Sequence, residues 1–148
     1  MTPETLFLVC NYGVLPFWLL LAAAPGWRGT QAVVHAAWIP LALGAVYLVA
    51  LGTSFADPPE GGSFGSLAGV MAFFTSPWAA LAGWVHYLVF DLFIGAWEVR
   101  DARRRGVSHA LVVPCLFFTL MAGPIGLALY LGARLATGRG PALEESAA

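Results

Sequence analysis

The chain has 148 residues, of which 59% are hydrophobic and 10% charged, and its formal net charge is −1. A soluble domain carries roughly a quarter charged residues, so this composition indicates a membrane protein and excludes a separate soluble catalytic domain. A nucleic-acid partner is not expected, because the only basic cluster is one short loop.

Four long windows contain no charged residue, at positions 5–27, 29–56, 61–90 and 106–133. Each can hold the roughly 20 residues with which a helix crosses about 30 Å of hydrocarbon. A helix also pairs its own backbone groups where no water can. We therefore predict an all-α integral membrane four-helix bundle over residues 1–136, followed by a disordered C-terminal tail at 137–148.

The first two helices are predicted to contain proline breaks. Helix one spans about residues 5–23 and holds Pro16, and a Pro-Gly pair ends it. Helix two spans about 31–51, with Pro40 near its middle. Prolines inside helices cause kinks, which can open a cavity in the membrane.

A short interfacial segment is predicted between helices two and three. Residues 57–62 contain two prolines and two glycines and read as a turn. The apolar stretch that follows, 63–74, is too short to span a membrane. Phe64, Leu67, Met71 and Phe74 share one helical face in it, so the segment is expected to lie in the interface or to dip partly inward.

Helix three is predicted from near Pro77 to about Arg100, with Asp101 and Arg105 paired at i, i+4 and extending it into water. Helix four is predicted at about 108–135, with Gly123-Pro124 near its centre. All seven basic residues are arginines.

The positive-inside rule sets the expected orientation. The loops with Arg28 and with residues 100–105 lie on one side of a four-helix topology, which we predict to be cytoplasmic. Both termini are then outside, although Arg134 and Arg139 weaken the contrast. A lysine-free chain without a transit peptide suggests a bacterial inner membrane.

Asp91 and Glu98 are the first candidates for a functional site. An ionised carboxylate in the middle of a membrane helix costs about 2.5–3.5 kcal/mol on insertion scales, so Asp91 needs a partner or stays protonated. Seven residues on, Glu98 returns to the same side of helix three, about 10 Å further along. The alternatives are that Asp91 only bonds a neighbour such as Asn11, and that Glu98 reaches the interface to pair with a loop arginine.

His86 is the third catalytic candidate, as a proton donor or acceptor with a pKa near neutrality. It is rotated about 140° from Asp91 on a 3.6-residue helix, and a buried structural imidazole is the alternative. The candidate ligand-binding residues line the stripe and kinks around the acids: Asn11, Trp84, Tyr87, Gly95 and Pro124. Gly95 leaves a gap that suits a close helix neighbour or a ligand. No nucleotide loop, serine nucleophile motif or metal-ligand spacing is present, so no metal is expected.

Three segments carry a resemblance to a known family: GSFGSLAGVMAFFTSP (62–77), HYLVFDLFIGAWEVR (86–100) and PCLFFTLMAGPIGLALY (114–130). In order and spacing they resemble the abscisic-acid-deficient-four-like family of small membrane proteins, also called neoxanthin-synthase-like. The resemblance implies a carotenoid or another long isoprenoid as the partner, besides membrane lipid. It also implies isomerisation of a carotenoid epoxide to an allene, a reaction without net redox change that requires no cofactor.

On this reading Asp91 is the acid that protonates the epoxide oxygen, and His86 or Glu98 is the base. These roles follow from the chemistry, since the resemblance supplies no catalytic residues. The alternative is a non-enzymatic membrane scaffold or pigment-binding subunit. The oligomeric state stays open, a homo-oligomer included.

Overall fold

A computed structural model describes residues 1–143, and within them the secondary structure is helical, without a β-strand. This confirms the predicted all-α class. In chain order the helices of this part are α1 (Pro3–Gly13), α2 (Leu15–Ala23), α3 (Arg28–Val33), α4 (Trp38–Ala56), α5 (Leu67–Phe73), α6 (Pro77–Arg105) and α7 (His109–Ala136).

Four helical stretches are long and apolar enough to cross a membrane, judged by length and composition. They are Pro3–Ala23, Trp38–Ala56, Pro77–Arg105 and His109–Ala136. The chain forms two compact units. Unit 1 comprises Met1–Val14 and Ala37–Val89, and unit 2 comprises Leu15–Ala36 and the chain from Phe90 onward.

The predicted helix one divides at Val14 into α1 and α2. The hydroxyl of Thr2 caps α1 by accepting from the Thr5 backbone N–H at 3.3 Å. Pro16 has no N–H to donate to the carbonyl four residues earlier. The break that Pro16 predicts is therefore present.

The predicted helix two also divides, but at a different place. A non-helical stretch at 34–37 separates α3 from α4, and α4 begins at Trp38. Pro40 thus lies in the first turn of α4, where the backbone N–H groups have no intrahelical partner and proline is tolerated. The predicted kink in mid-helix at Pro40 is wrong for this reason.

The segment predicted to be interfacial contains one short helix, α5, which is too short to span a membrane. The Ser66 hydroxyl caps it by accepting from the Gly69 N–H at 3.1 Å. The four side chains predicted to share a face are all exposed: Phe64, Leu67, Met71 and Phe74. Residues 57–62 are non-helical, as the turn prediction requires.

Helix α7 reverses direction near its middle. Ala122 has non-helical torsions (φ −160°, ψ 60°) beside Gly123-Pro124. Gly126 packs directly on the backbone of Thr119, so that a Cβ on Gly126 would collide with the Thr119 nitrogen and Cα. In a straight helix these residues would be about 10 Å apart along the axis. The two halves, 109–121 and 123–136, therefore form a hairpin.

This hairpin corrects two predictions. Each half is about 20 Å long, less than the roughly 30 Å of a bilayer core, so α7 is not a single straight crossing. The C-terminal segment also returns to the arginine-rich end of α6: Arg105 Nη2 donates to the Ala142 carbonyl at 2.6 Å, and Arg139 Nη2 to the Gly106 carbonyl at 3.1 Å. The described part of the segment after α7 therefore lies beside the arginine-rich end of α6, and not on the opposite side as predicted.

The predicted disordered tail falls partly outside the described residues, since these end at Leu143. Within them, the carbonyls of Gly140 and Ala142 accept hydrogen bonds from Arg134 at 3.1 and 3.0 Å. The boundary predicted near residue 136 coincides with the end of α7.

Candidate functional site

Helix α6 carries the three predicted catalytic residues. It begins at Pro77, where proline is tolerated in a first turn, and runs for 29 residues. Asp91 and Glu98 belong to unit 2, and His86 belongs to unit 1.

The Asp91 carboxyl is buried, with 7% of the residue exposed. It faces the reversal point of α7, because a Cβ on Gly123 would collide with Oδ1 and lie 3.0 Å from Cγ. The second half of α7 begins here, and helix N-termini favour nearby negative charge. The prediction of a carboxyl deep in an apolar helix is confirmed, and only glycine at position 123 leaves space for it.

Glu98 is fully buried and bonded to the first half of α7. The Thr119 hydroxyl lies 3.0 Å from Oε1 and 3.2 Å from Oε2 of Glu98. It also lies 3.0 Å from the Cys115 carbonyl within α7. The alternative of an interfacial glutamate paired with a loop arginine does not describe this residue, since its hydrogen bond is to Thr119.

The gap left by Gly95 between the two acids is filled by protein. A Cβ on Gly95 would lie 2.6 Å from Trp18 Cζ3 and 3.3 Å from Leu116 Cδ2. Of the alternatives that the sequence left open, a close helix neighbour is the arrangement observed. A ligand at Gly95 would first have to displace the Trp18 ring.

His86 lines a cavity in unit 1. This aromatic pocket, of about 280 Å³, has Tyr47 and His86 as its polar side chains, together with Phe64, Phe73 and Phe74. The rings of Tyr47 and His86 have their centroids 6.0 Å apart at 50°. His86 is exposed at this site, so the alternative of a buried structural imidazole does not apply.

Three of the predicted ligand-binding residues meet elsewhere in unit 1. Trp84 Nε1 donates to Asn11 Oδ1 at 3.0 Å, and the Trp84 and Tyr87 rings lie 5.5 Å apart. Trp84 also lines a cavity of about 400 Å³ with Glu4 and Phe7. The polar group of Asn11 is thus used to position Trp84 at this cavity.

Pro124 is exposed and lines a groove of about 530 Å³ on the second half of α7. Across residues 1–143, the three cavities described above have neither Asp91 nor Glu98 in their linings. The two buried acids are therefore packed against α7, whereas His86 and Trp84 face open cavities.

The sequence reasoning missed a buried ionic cluster around Asp101. Arg134 Nη1 pairs with Asp101 Oδ2 at 2.9 Å, Tyr130 Oη donates to the same oxygen at 2.6 Å, and Arg105 Nε pairs with Oδ1 at 2.9 Å. The predicted Asp101–Arg105 pair is confirmed, but Asp101 is 1% exposed and does not extend into water. The sequence did contain a signal for this cluster. Arg134 lies one helical turn beyond Tyr130 at the end of an apolar window, where an arginine needs an acidic partner.

A second polar contact in unit 2 joins the loop after α3 to α6. Arg100 Nη1 lies 3.0 Å from His35 Nδ1. Burial lowers the pKa of His35 from its ordinary 6.5, and the positive charges of Arg100 and then Arg103 lower it further. With Arg100 donating, the imidazole is neutral and Nδ1 is the acceptor.

Four helices that are long and apolar enough to cross a membrane indicate a helical, membrane-associated protein. The family model described as ABA DEFICIENT 4-like matches residues 5–130. The chain therefore belongs to the ABA DEFICIENT 4-like family, as the three segments indicated.

The chain is similar to Protein ABA DEFICIENT 4, chloroplastic, from Arabidopsis thaliana. The two are 27% identical over 132 residues, which cover 84% of this chain and 58% of the relative. The chain thus spans little more than half the length of that protein, and a bacterial location stays a prediction because the relative is chloroplastic. No solved structure matches the chain.

Proposed function

We propose that this protein binds a carotenoid or another long isoprenoid in the membrane and isomerises an epoxide end group by acid/base chemistry. Membership of the ABA DEFICIENT 4-like family supports a carotenoid-related role. The observation that carries the chemical part is a pair of carboxyl groups, Asp91 and Glu98, buried on one apolar helix. Such groups are expensive in a membrane and mark functional sites.

The proposed reaction conserves all atoms. Asp91 donates a proton to the epoxide oxygen as the C–O bond breaks, and a base removes the proton of the neighbouring vinylic carbon. The electron pair of that C–H bond forms the new double bond of the allene, and the proton returns from the base to Asp91. Glu98, which is buried in the same unit as Asp91, serves as the base. Because Asp91 is packed on Gly123, the substrate reaches it only when the α7 hairpin moves.

A scaffold without enzymatic activity is the second candidate, and one observation favours it. Asp91 contacts the tip of the α7 hairpin and Glu98 bonds Thr119 in its first half. Both carboxyls therefore serve to hold the hairpin on α6, and this role requires no substrate.

We also propose an orientation with the arginine-rich end in the cytoplasm, following the positive-inside rule. The fold-back of α7 brings Arg134 and Arg139 to the end of α6 that carries residues 100–105. These two arginines then support this orientation, where a straight fourth helix would have opposed it.

The test is purification from a carotenoid-producing host, extraction of what is bound, and an assay with an epoxide carotenoid such as violaxanthin. Asp91→Asn keeps the shape of the side chain, and as an enzyme variant it should lose about 10²–10⁴-fold in rate while the protein still folds. Asp57→Asn, which changes an exposed loop acid, is the matched control. A silent Asp91→Asn would support the scaffold, and recovery of phospholipid alone would contradict both binding and isomerisation.

A further inference from the structure

The cavity that Trp84 lines in unit 1 lies where two apolar helices begin. Its volume is about 400 Å³, and its lining comes from the first turns of α1 (Glu4, Phe7, Leu8) and of α6 (Pro77, Ala80, Trp84). Trp84 is seven residues into α6 and thus about 10 Å from its start. In a bilayer, the ends of helices that cross it lie among the lipid head groups. This cavity, the helix-start pocket, is therefore placed to meet a head group.

The polarity of the lining changes along the helix axes. Glu4 is exposed and lies in the first turn of α1, where a negative charge is favourable. Phe7 and Leu8 follow about one turn further in, and Trp84 lies at the inner end of the α6 side. A phospholipid has the same order, with a charged head group followed by apolar chains. The helix-start pocket is therefore complementary to the head-group end of a lipid.

The charge of the ligand follows from the polar groups of the lining. Trp84 Nε1 already donates to Asn11 Oδ1 at 3.0 Å, and the ring of Phe7 lies 5.5 Å from that of Trp84. Among the lining side chains, this leaves the Glu4 carboxylate as the polar group that a ligand can reach. A carboxylate accepts hydrogen bonds and donates none, and its strongest partners are positively charged donors. The fitting head group therefore carries an ammonium with N–H groups.

The size of the pocket limits how much of a lipid it holds. Pockets for drug-sized ligands measure about 300–1,000 Å³, and this one, at about 400 Å³, lies near the lower end of that range. A lipid can therefore place its head group and the start of its chains in the pocket. The rest of the chains continue along the apolar surface, where Leu8 is 51% exposed.

We propose that the helix-start pocket binds a phospholipid with a primary ammonium head group, such as phosphatidylethanolamine. The ammonium donates to the Glu4 carboxylate, and the rings of Phe7 and Trp84 pack against the start of the acyl chains. A quaternary ammonium, as in phosphatidylcholine, carries the same charge but has no N–H to donate. The site uses no residue of unit 2, and it does not depend on the proposed isoprenoid chemistry.

The experiment is a titration of the full chain in detergent with three lipids that have identical acyl chains, with the bound lipid counted by native mass spectrometry. The lipids are phosphatidylethanolamine, phosphatidylcholine and phosphatidylglycerol. The last is an anion without an ammonium group, and a carboxylate at the mouth of the pocket repels it. The expected order of affinity is therefore phosphatidylethanolamine, phosphatidylcholine, phosphatidylglycerol.

Two variants test the charge and the space of the pocket separately. Glu4→Gln should weaken phosphatidylethanolamine binding about 1.5–5-fold, the contribution of an exposed ion pair, and should not weaken phosphatidylglycerol binding. Glu60→Gln, at an exposed acid of the turn after α4, is its matched control. Ala80→Leu fills the pocket from an exposed position and should weaken phosphatidylethanolamine binding at least about fivefold. Its control is Ala45→Leu, exposed on α4 and outside the lining.

The outcomes separate this site from the proposed function. Equal affinity for phosphatidylethanolamine and phosphatidylglycerol, or unchanged phosphatidylethanolamine binding in either Glu4→Gln or Ala80→Leu, would overturn the lipid site. Binding of violaxanthin that competes with phosphatidylethanolamine and is lost in Ala80→Leu would assign the pocket to the isoprenoid instead. That result would overturn the lipid site and leave the proposed function standing.

Discussion

The fold-back of α7 makes a prediction about two glycines of the same half-helix. Gly126 packs on the Thr119 backbone, whereas a Cβ on Gly132 meets nothing within 4 Å. Gly132→Ala should raise the free energy of unfolding by up to about 1 kcal/mol through helix propensity. Gly126→Ala should lower it by about 1–3 kcal/mol or more, because the atom it meets belongs to the backbone and cannot rotate away.

The difference between the variants is therefore about 1–4 kcal/mol, with opposite signs. For a chain of this size, 1 kcal/mol shifts the melting temperature by roughly 2–4 °C. Thermal unfolding in detergent, monitored by tryptophan fluorescence, therefore resolves the difference between the two variants. In a straight helix positions 119 and 126 are about 10 Å apart, and both substitutions would stabilise. Equal melting temperatures for Gly126→Ala and Gly132→Ala would refute the hairpin.

A labelling experiment checks the same feature independently. Single cysteines at Arg103 and Ala142, in a chain without Cys10 and Cys115, should react with an impermeant thiol reagent from the same side of sealed vesicles. The reason is that Arg105 bonds the Ala142 carbonyl. Labelling from opposite sides would mean that α7 crosses the bilayer once in a straight line.

Two further predictions concern the polar contacts of unit 2. Arg134→Met removes one partner of the buried pair with Asp101. The free energy of unfolding should fall by an amount near the lower end of about 3–5 kcal/mol, because Arg105 still pairs with Asp101. An unchanged melting temperature would contradict this. The pKa of His35 is lowered in the folded state, so the unfolded chain binds more protons, and stability should fall as pH drops below about 6.5. His35→Asn keeps an acceptor for Arg100 without titrating, and the part of the pH dependence below 6.5 that is due to His35 should disappear; identical pH profiles for both proteins would argue against it.

The sequence alone determined which parts of the chain are apolar helices. Membrane insertion is close to a sum over residues in a window, and charges are so costly there that charge-free windows indicate where apolar helices lie. The third window, 61–90, only overlaps α6, which runs from Pro77 to Arg105 and carries Asp91 and Glu98. The same argument identified Asp91 as a buried carboxyl and placed a break at Pro16 and at Gly123-Pro124. It also found the short helical segment between α4 and α6, since four apolar residues at helical spacing are a local pattern; its place in the interface stays a prediction.

Only the tertiary structure decided what happens at a break. Pro40 lies in the first turn of α4 because this helix starts at Trp38. The residues around Pro40 do not by themselves show whether a proline begins a helix or kinks one. Gly123-Pro124 allows a kink, but the direction of the second half of α7 depends on Gly126 fitting against Thr119 and on Arg134 reaching Asp101. These contacts join residues up to 33 positions apart. Their free energy depends on close packing and on pairing of buried charges, which a window of sequence does not contain.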